Sequence, residues 1–244
     1  MSNDRAIIEV QGLTKIYGFL PVLKSLDLTV TRGEYIALLG PNGSGKSTLL
    51  RLLSGLSKPT QGTIRIGGWE IPKEAMAIRS QIGMVSHKPL LYENLTAYEN
   101  LNFFGKLYNI ESSEREERIN SLLDQVGLKK RATSLVRTFS RGMQQRLSIA
   151  RALLNEPDVL FFDEPYTGLD QDAGDMLDGL LKTAHGENRT VVMTTHQLQR
   201  ASTLASRAVI LSRGKIAYDE HISSLNQTDL VAIYAQVTGA ASTR

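Results

Sequence analysis

Residues 38–50 read LLGPNGSGKSTLL, and the fold follows from how those positions are used. Gly40, Gly43 and Gly45 carry no side chain where backbone N–H groups have to converge on an anion. Pro41, Asn42 and Ser44 fill the turns between them. Lys46, Ser47 and Thr48 then open a helix whose positive end faces the loop. Gly40 to Ser47 satisfy the P-loop pattern, in which Lys46 reaches the outer phosphates of ATP and Ser47 offers its hydroxyl to Mg2+. Upstream, YIALLG from Tyr35 is almost wholly apolar, as a strand buried on both faces requires. Downstream, KSTLLRLLSGL has helical spacing, with Leu49, Leu50, Leu52 and Leu53 as core candidates and Gly55 and Pro59 as stops.

Working outward, AIIEVQGLTKIY and the alternating part of SLDLTVTRGEYIALLG, from Ser25, read as strands of an antiparallel layer. GTIRIGGWEI and SQIGMVS add further strands. Residues 88–155 turn helical, and the spacing of Thr96 with Glu99, and of Ser113 with Glu116, predicts two capping boxes. After Pro157, DVLFFDE and TVVMTTH return as apolar strands around a helix from about Asp172 to Ala184. RAVILSRGKIAY closes as a hairpin at Arg213-Gly214, and the tail from about Asp219 reads as a short helix and a frayed end. The expected fold is α/β: a P-loop NTPase core of mainly parallel sheet, an antiparallel β layer and an inserted helical subdomain. One domain spans 1–244, with its core in 1–87 and 156–218, the helical subdomain in 88–155 and a tail in 219–244.

Composition sets bounds on partners. The chain has 244 residues, 41% hydrophobic and 22% charged, with a net charge of +3, ordinary values for a globular protein. Lys129-Lys130-Arg131 lies near the acidic run Glu114 to Glu117, and a solvated helix end explains it better than a nucleic-acid patch. The absence of cysteine excludes disulfides, thiolate catalysis and cysteine–zinc sites. MSNDR lacks the apolar stretch of a secretion signal, and no apolar run reaches the roughly 18 residues of a membrane span. The expectation is a cytoplasmic chain that meets the membrane only through a partner.

Two strand ends carry the remaining chemistry. Asp163 ends DVLFFDE's apolar run, where a carboxylate helps hold Mg2+, and Glu164 follows, placed to orient or deprotonate an attacking water. His196 ends VVMTTH at the ligand edge of such a sheet, within reach of a terminal phosphate and that water. Ser140 precedes a helix, so the N–H groups there form a second anion site.

Over nearly its whole length the sequence resembles the nucleotide-binding subunits of ABC transporters. The most specific piece is FSRGMQQRLSIARALLNEPDVLFFDEPYTGLD. Phe139-Ser140-Arg141-Gly142-Met143 stands at the LSGGQ signature; Ser140 and Gly142 keep its small, polar character, whereas Phe139, Arg141 and Met143 depart from it. The resemblance makes Thr167-Gly168-Leu169-Asp170 the D-loop, His196 the switch histidine and Tyr17 the aromatic that stacks on adenine. It implies that each ATP is sandwiched between one chain's P-loop and the signature of a second ATP-binding subunit, and that multi-span permease subunits carry the cargo.

His87 stands where the family usually has a glutamine that senses metal and water, which puts its Mg2+ contact in doubt. His87 ahead of Pro89, with LTAYENLNFF, SRGM and EPYTGLD, is most similar to the heme-exporter ATPase of the cytochrome c maturation system, although ABC-2-type exporters share much of this. The permease surface is expected near His87 to Tyr98, where Pro89, Leu90, Leu91 and Tyr92 either pack the helical subdomain on the core or line an exposed groove. An ABC ATPase of DNA repair or translation would need a coiled-coil insertion or tandem domains, and a P-loop kinase would leave FSRGM without a role. No direct nucleic-acid contact is expected.

Overall fold

The computed structural model describes residues 6–222 and 227–239. In chain order the strands are β1 (Ala6–Tyr17), β2 (Leu20–Thr31), β3 (Tyr35–Leu39), β4 (Gln61–Ile66), β5 (Trp69–Ile71), β6 (Ile82–Val85), β7 (Val159–Asp163), β8 (Thr190–Thr194), β9 (Arg207–Ser212) and β10 (Lys215–His221). The α-helices are α1 (Lys46–Leu53), α2 (Ala75–Arg79), α3 (Ala97–Leu107), α4 (Ser112–Gln125), α5 (Arg141–Leu153), α6 (Gln171–Gly186), α7 (Leu198–Leu204) and α8 (Gln227–Thr238).

β2, β1, β4 and β5 form the antiparallel layer in that order. β2 starts at Leu20, earlier than the alternation from Ser25 suggests. Tyr17 pairs with Leu20 across a tight turn, and Ser25 takes a positive φ of 51°, an irregularity that hides the first half of the strand from a period-two reading. The second sheet runs β10-β9-β3-β8-β7-β6, parallel throughout except for β10. Every residue of β3, β7 and β8 is buried, which is why those segments read as unbroken apolar runs. β9 and β10 join through Arg213 and Gly214, both at positive φ (50° and 82°), as a two-residue hairpin requires. β10 continues to His221, past the expected boundary at Asp219; α8 follows, and Leu230 buries itself against Leu39 and Ile210. The frayed end expected beyond 239 lies outside the described residues.

The helical part has its own core of Leu101, Ile119, Leu123, Leu147 and Leu154. α3 starts with the Thr96–Glu99 capping box. The second box does not form. Glu111 caps α4 instead, its carboxylate accepting from the N–H and hydroxyl of Ser113, so Ser113 falls inside the first turn. Lys129–Arg131 is a short 3-10 turn after α4, with Lys129 3.6 Å from Asp124, consistent with a solvated helix end. α5 belongs to both cores: Leu147 and Ala150 face the helices, while Ile149 and Ala152 pack with Val85 and Phe162 of the sheet.

Candidate active site

The strand order places three carboxyl ends side by side. Leu38 of β3 and Asp163 of β7 both pair with Thr194 of β8, so the glycine loop, the acid pair and His196 leave the sheet at one edge. Gly40 takes φ 143°, and a Cβ there would stand 2.2 Å from the Leu211 carbonyl oxygen. At Gly45, φ 111°, a Cβ would meet Leu23 Cδ2 at 2.6 Å, because β2 crosses directly over the loop. Only glycine fits either place.

Lys46 folds over the loop, its Nζ donating to the carbonyls of Gly40 (2.7 Å) and Pro41 (3.2 Å). The Ser47 hydroxyl donates to Asp163 Oδ1 at 2.9 Å. Thr194 Oγ1 donates to that same oxygen at 2.9 Å and accepts from the Glu164 N–H at 2.9 Å. Glu164 adopts φ 52°, a conformation that costs a non-glycine residue about 1–3 kcal/mol and is held here by its neighbours. Its Oε1 lies 3.0 Å from His196 Nε2 but has no aligned hydrogen-bond donor among the described residues; buried Ser44 Oγ is likewise unsatisfied. Two orphaned oxygens beside an anion cradle are polar atoms waiting for a ligand.

Burial pushes the Glu164 carboxyl above its usual range, and Asp163 adds to the rise, against the pull of His196 and Lys46. Burial lowers Lys46, opposed by Glu164 and Asp163. Ionising Glu164 thus costs more in the folded chain than in the unfolded one. A carboxyl raised by folding stabilises the fold below its unfolded value and loses that contribution as pH rises through the folded value. The nucleotide-free Glu164→Gln chain should therefore melt at higher temperature than the parent at pH 7, and the gap should close as pH falls below the ordinary carboxyl value of 4.5. Thermal melts across pH check this; a gap that widens in acid contradicts it.

The other candidates lie apart from this cluster. Ser140 caps α5, its Oγ accepting from the Met143 N–H at 3.3 Å, and Gly142 rests against the Gly168 carbonyl, 3.2 Å from where its Cβ would be. Asp170 caps α6 through the Ala173 N–H (2.9 Å). Among the described residues no hydrogen bond joins Ser140, Gly142 or Asp170 to the glycine loop. Tyr17 is 45% exposed at the end of β1, with Lys15 Nζ 4.8 Å from its ring centre. His87 is exposed on the loop after β6, the strand beside β7, and makes no hydrogen bond to Ser47, Asp163 or Glu164 among the described residues.

Two contributors escaped the sequence reading. Thr194 bridges Asp163 and Glu164, a role that only strand register reveals. Arg151, buried on α5, donates to the carbonyls of Met84 (2.6 Å) and Leu90 (2.7 Å), so it clasps both ends of the His87 loop. Burial lowers its pKa, and the nearby Phe104 ring, 5.2 Å away, covers the guanidinium. The apolar run 89–92 divides: Leu91 turns inward, while Leu90 and Tyr92 are exposed beside Phe103, whose ring centre is 4.9 Å from that of Tyr92. Buried Asn100 locks this loop to α3 by bonding both the N–H and the carbonyl of Tyr92.

A glycine loop between buried strand and helix, a histidine just past the neighbouring strand and an acid pair ending the strand beyond it define a P-loop ATPase. More narrowly, the chain belongs to the ABC transporter family, whose description matches residues 23–167, and is an ATP-binding motor subunit of that family. It is 39% identical over 94% of its length to the Nod factor export ATP-binding protein I of Cupriavidus metallidurans, covering 77% of that protein. It is 35% identical over 86% of its length to the linearmycin resistance ATP-binding protein LnrL of Bacillus subtilis, covering 68% of it. Among solved structures, it is similar to an ATP-binding subunit of an ABC transporter (TM-score 0.88, 31% identity, 95% of this chain and 99% of that one). It also resembles the dimeric ATP-binding cassette MJ0796 in a post-hydrolysis state with ADP and Pi (TM-score 0.83, 31% identity, 89% of this chain and 100% of that one). Among the described residues no helix is long and apolar enough to cross a membrane.

Proposed function

We propose that this chain drives an exporter of the ABC-2 type, working as one of two ATP-binding subunits at the inner face of a membrane. The observation that carries the reading is the placement of Lys46, Ser47, Asp163, Glu164 and His196 at one sheet edge, with the Ser140 helix start engaged elsewhere. Such a site would bind ATP from one side, and a second subunit's Ser140 and Gly142 would add donors from the other on closure. MJ0796 is named as dimeric, and CbiO1 from Clostridium perfringens, a structural neighbour at TM-score 0.79, is named as part of the transporter complex cbiONQ.

In this mechanism the backbone N–H groups of Gly43 to Ser47 hold the phosphates, Lys46 swings from the Gly40 carbonyl to the outer ones, and Tyr17 stacks on the adenine. Ser47 and Asp163, already joined by a hydrogen bond, would be the residues to hold Mg2+, with His87 as a further candidate from its exposed loop. Bound there, Mg2+ neutralises charge on the outer phosphates. Glu164 orients a water against the terminal phosphorus and takes its proton as the bond to the bridging oxygen breaks, giving ADP and phosphate. His196 holds both the water and the Glu164 carboxylate in register.

Residues 88–155 act as the helical subdomain, and exposed Leu90, Tyr92 and Phe103 receive the permease. Export is supported by the relatives named for Nod factor export and linearmycin resistance. The narrower heme-exporter reading rests on His87, Pro89 and the SRGM segment. Purification of the chain from its own membranes in mild detergent should bring down a multi-span protein. Recovery of the chain without one contradicts the transporter reading, and a complex without heme absorbance contradicts the narrower one alone.

A further inference from the structure

Behind Glu164 and His196, three segments are tied together by side chains that touch neither. Tyr166, two residues past Glu164, is 6% exposed, and its hydroxyl donates to Asp178 Oδ1 on α6 at 2.6 Å. The other Asp178 oxygen accepts from Arg200 on α7, the helix that follows His196. The Arg200 guanidinium closes the triangle by lying over the Tyr166 ring, 4.5 Å from its centre. Arg200 also donates to the Gly174 carbonyl at 3.4 Å and lies 3.7 Å from Asp175. Gly174 leaves room for this guanidinium, since a Cβ there would stand 2.8 Å from an Arg200 nitrogen.

The side chains of Arg200 and Asp178 are 18% and 23% exposed. At that burial the cost of removing both charges from water offsets much of their attraction, so the ion pair adds little net stability. Its consequence is geometric. The ring and hydroxyl of Tyr166 fix the chain just after Glu164 to α6, and Arg200 fixes the helix just after His196 to the same carboxylate. Those two anchors lie just beyond the pair formed by Glu164 Oε1 and His196 Nε2, which are 3.0 Å apart.

We propose that Tyr166, Asp178 and Arg200 are positioning residues for hydrolysis, holding the His196 loop against the Glu164 loop. The proposal rests on the ATPase assignment, and parent turnover checks that assignment separately. Single-turnover and steady-state hydrolysis would be measured for Tyr166→Phe, which keeps the ring and loses one hydroxyl, and for Arg200→Met and Arg200→Lys. Tyr166→Phe and Arg200→Met should lower kcat about tenfold while the KM for ATP stays within about twofold, because a small misplacement slows chemistry without touching the phosphate loop. Arg200→Lys should retain most of the activity. In a His196→Ala background, Tyr166→Phe should cost nothing further, because the residue it positions is gone. Unchanged kcat in both Tyr166→Phe and Arg200→Met, a raised KM with kcat intact, or the same fractional loss with and without His196 overturns the proposal. Arg200→Met, at a more exposed position, keeps the test decisive if Tyr166→Phe fails to fold.

Discussion

Glu164→Gln should leave a chain that binds MgATP, hydrolyses it at least about a thousandfold more slowly and runs at twice its mass while the nucleotide is present. The substitution keeps the shape of the side chain and its place beside His196, but removes the oxygen that accepts the water's proton. It also removes a buried negative charge next to the terminal phosphate, where like charges repel at short range. Both effects favour the ATP-loaded, closed pair, and hydrolysis is the step that would reopen it. With ADP the mass should return to that of one chain. Light scattering on the purified variant reads this directly. A variant that stays monomeric at saturating MgATP, or turns over at the parental rate, removes Glu164 from the role given to it.

Lys46→Ala should abolish productive ATP binding, with affinity falling at least about a hundredfold, or about 2.7 kcal/mol. Lys46 is 7% exposed and already desolvated, so its charge acts on a phosphate with little solvent between them. The same desolvation makes its charge costly to hold in the nucleotide-free fold, which offsets the loss of its bonds to the Gly40 and Pro41 carbonyls. The expected signature is lost nucleotide binding with a nearly unchanged melting temperature. Fluorescent-nucleotide titration and a thermal melt separate the two, and undiminished turnover would exclude this loop as the working site.

Much of this site was legible because its elements obey local rules. LLGPNGSGKST announces its own conformation: Gly40 and Gly45 sit where backbone or side chains would collide with any Cβ. Asp163, Glu164 and His196 were found because strands buried on both faces leave a visible apolar run, and the polar residue that ends each run points at the sheet edge. The Thr96 cap was equally local. What stayed hidden depends on contacts between segments far apart in the chain. Thr194 matters because β8 lies between β3 and β7, Arg151 because α5 packs under the His87 loop, and Arg200 because α7 brings it to Asp178 and Tyr166. The Ser113 cap failed for a subtler reason: Glu111, two residues earlier, takes both the N–H and the hydroxyl of Ser113, so the helix has already begun at Ser112.

The central claim is that the phosphate loop of one chain is completed by the α5 start of another. The sequence contains no cysteine, so introduced thiols can report on that contact alone. Asn42 and Ser140 are both exposed and mark the two halves of the site. Asn42→Cys and Ser140→Cys, combined in one Glu164→Gln chain, would be treated with a short bifunctional thiol reagent. We expect covalent dimers that form with MgATP and not with ADP. A nucleotide-dependent cross-link confined within single chains would contradict the account.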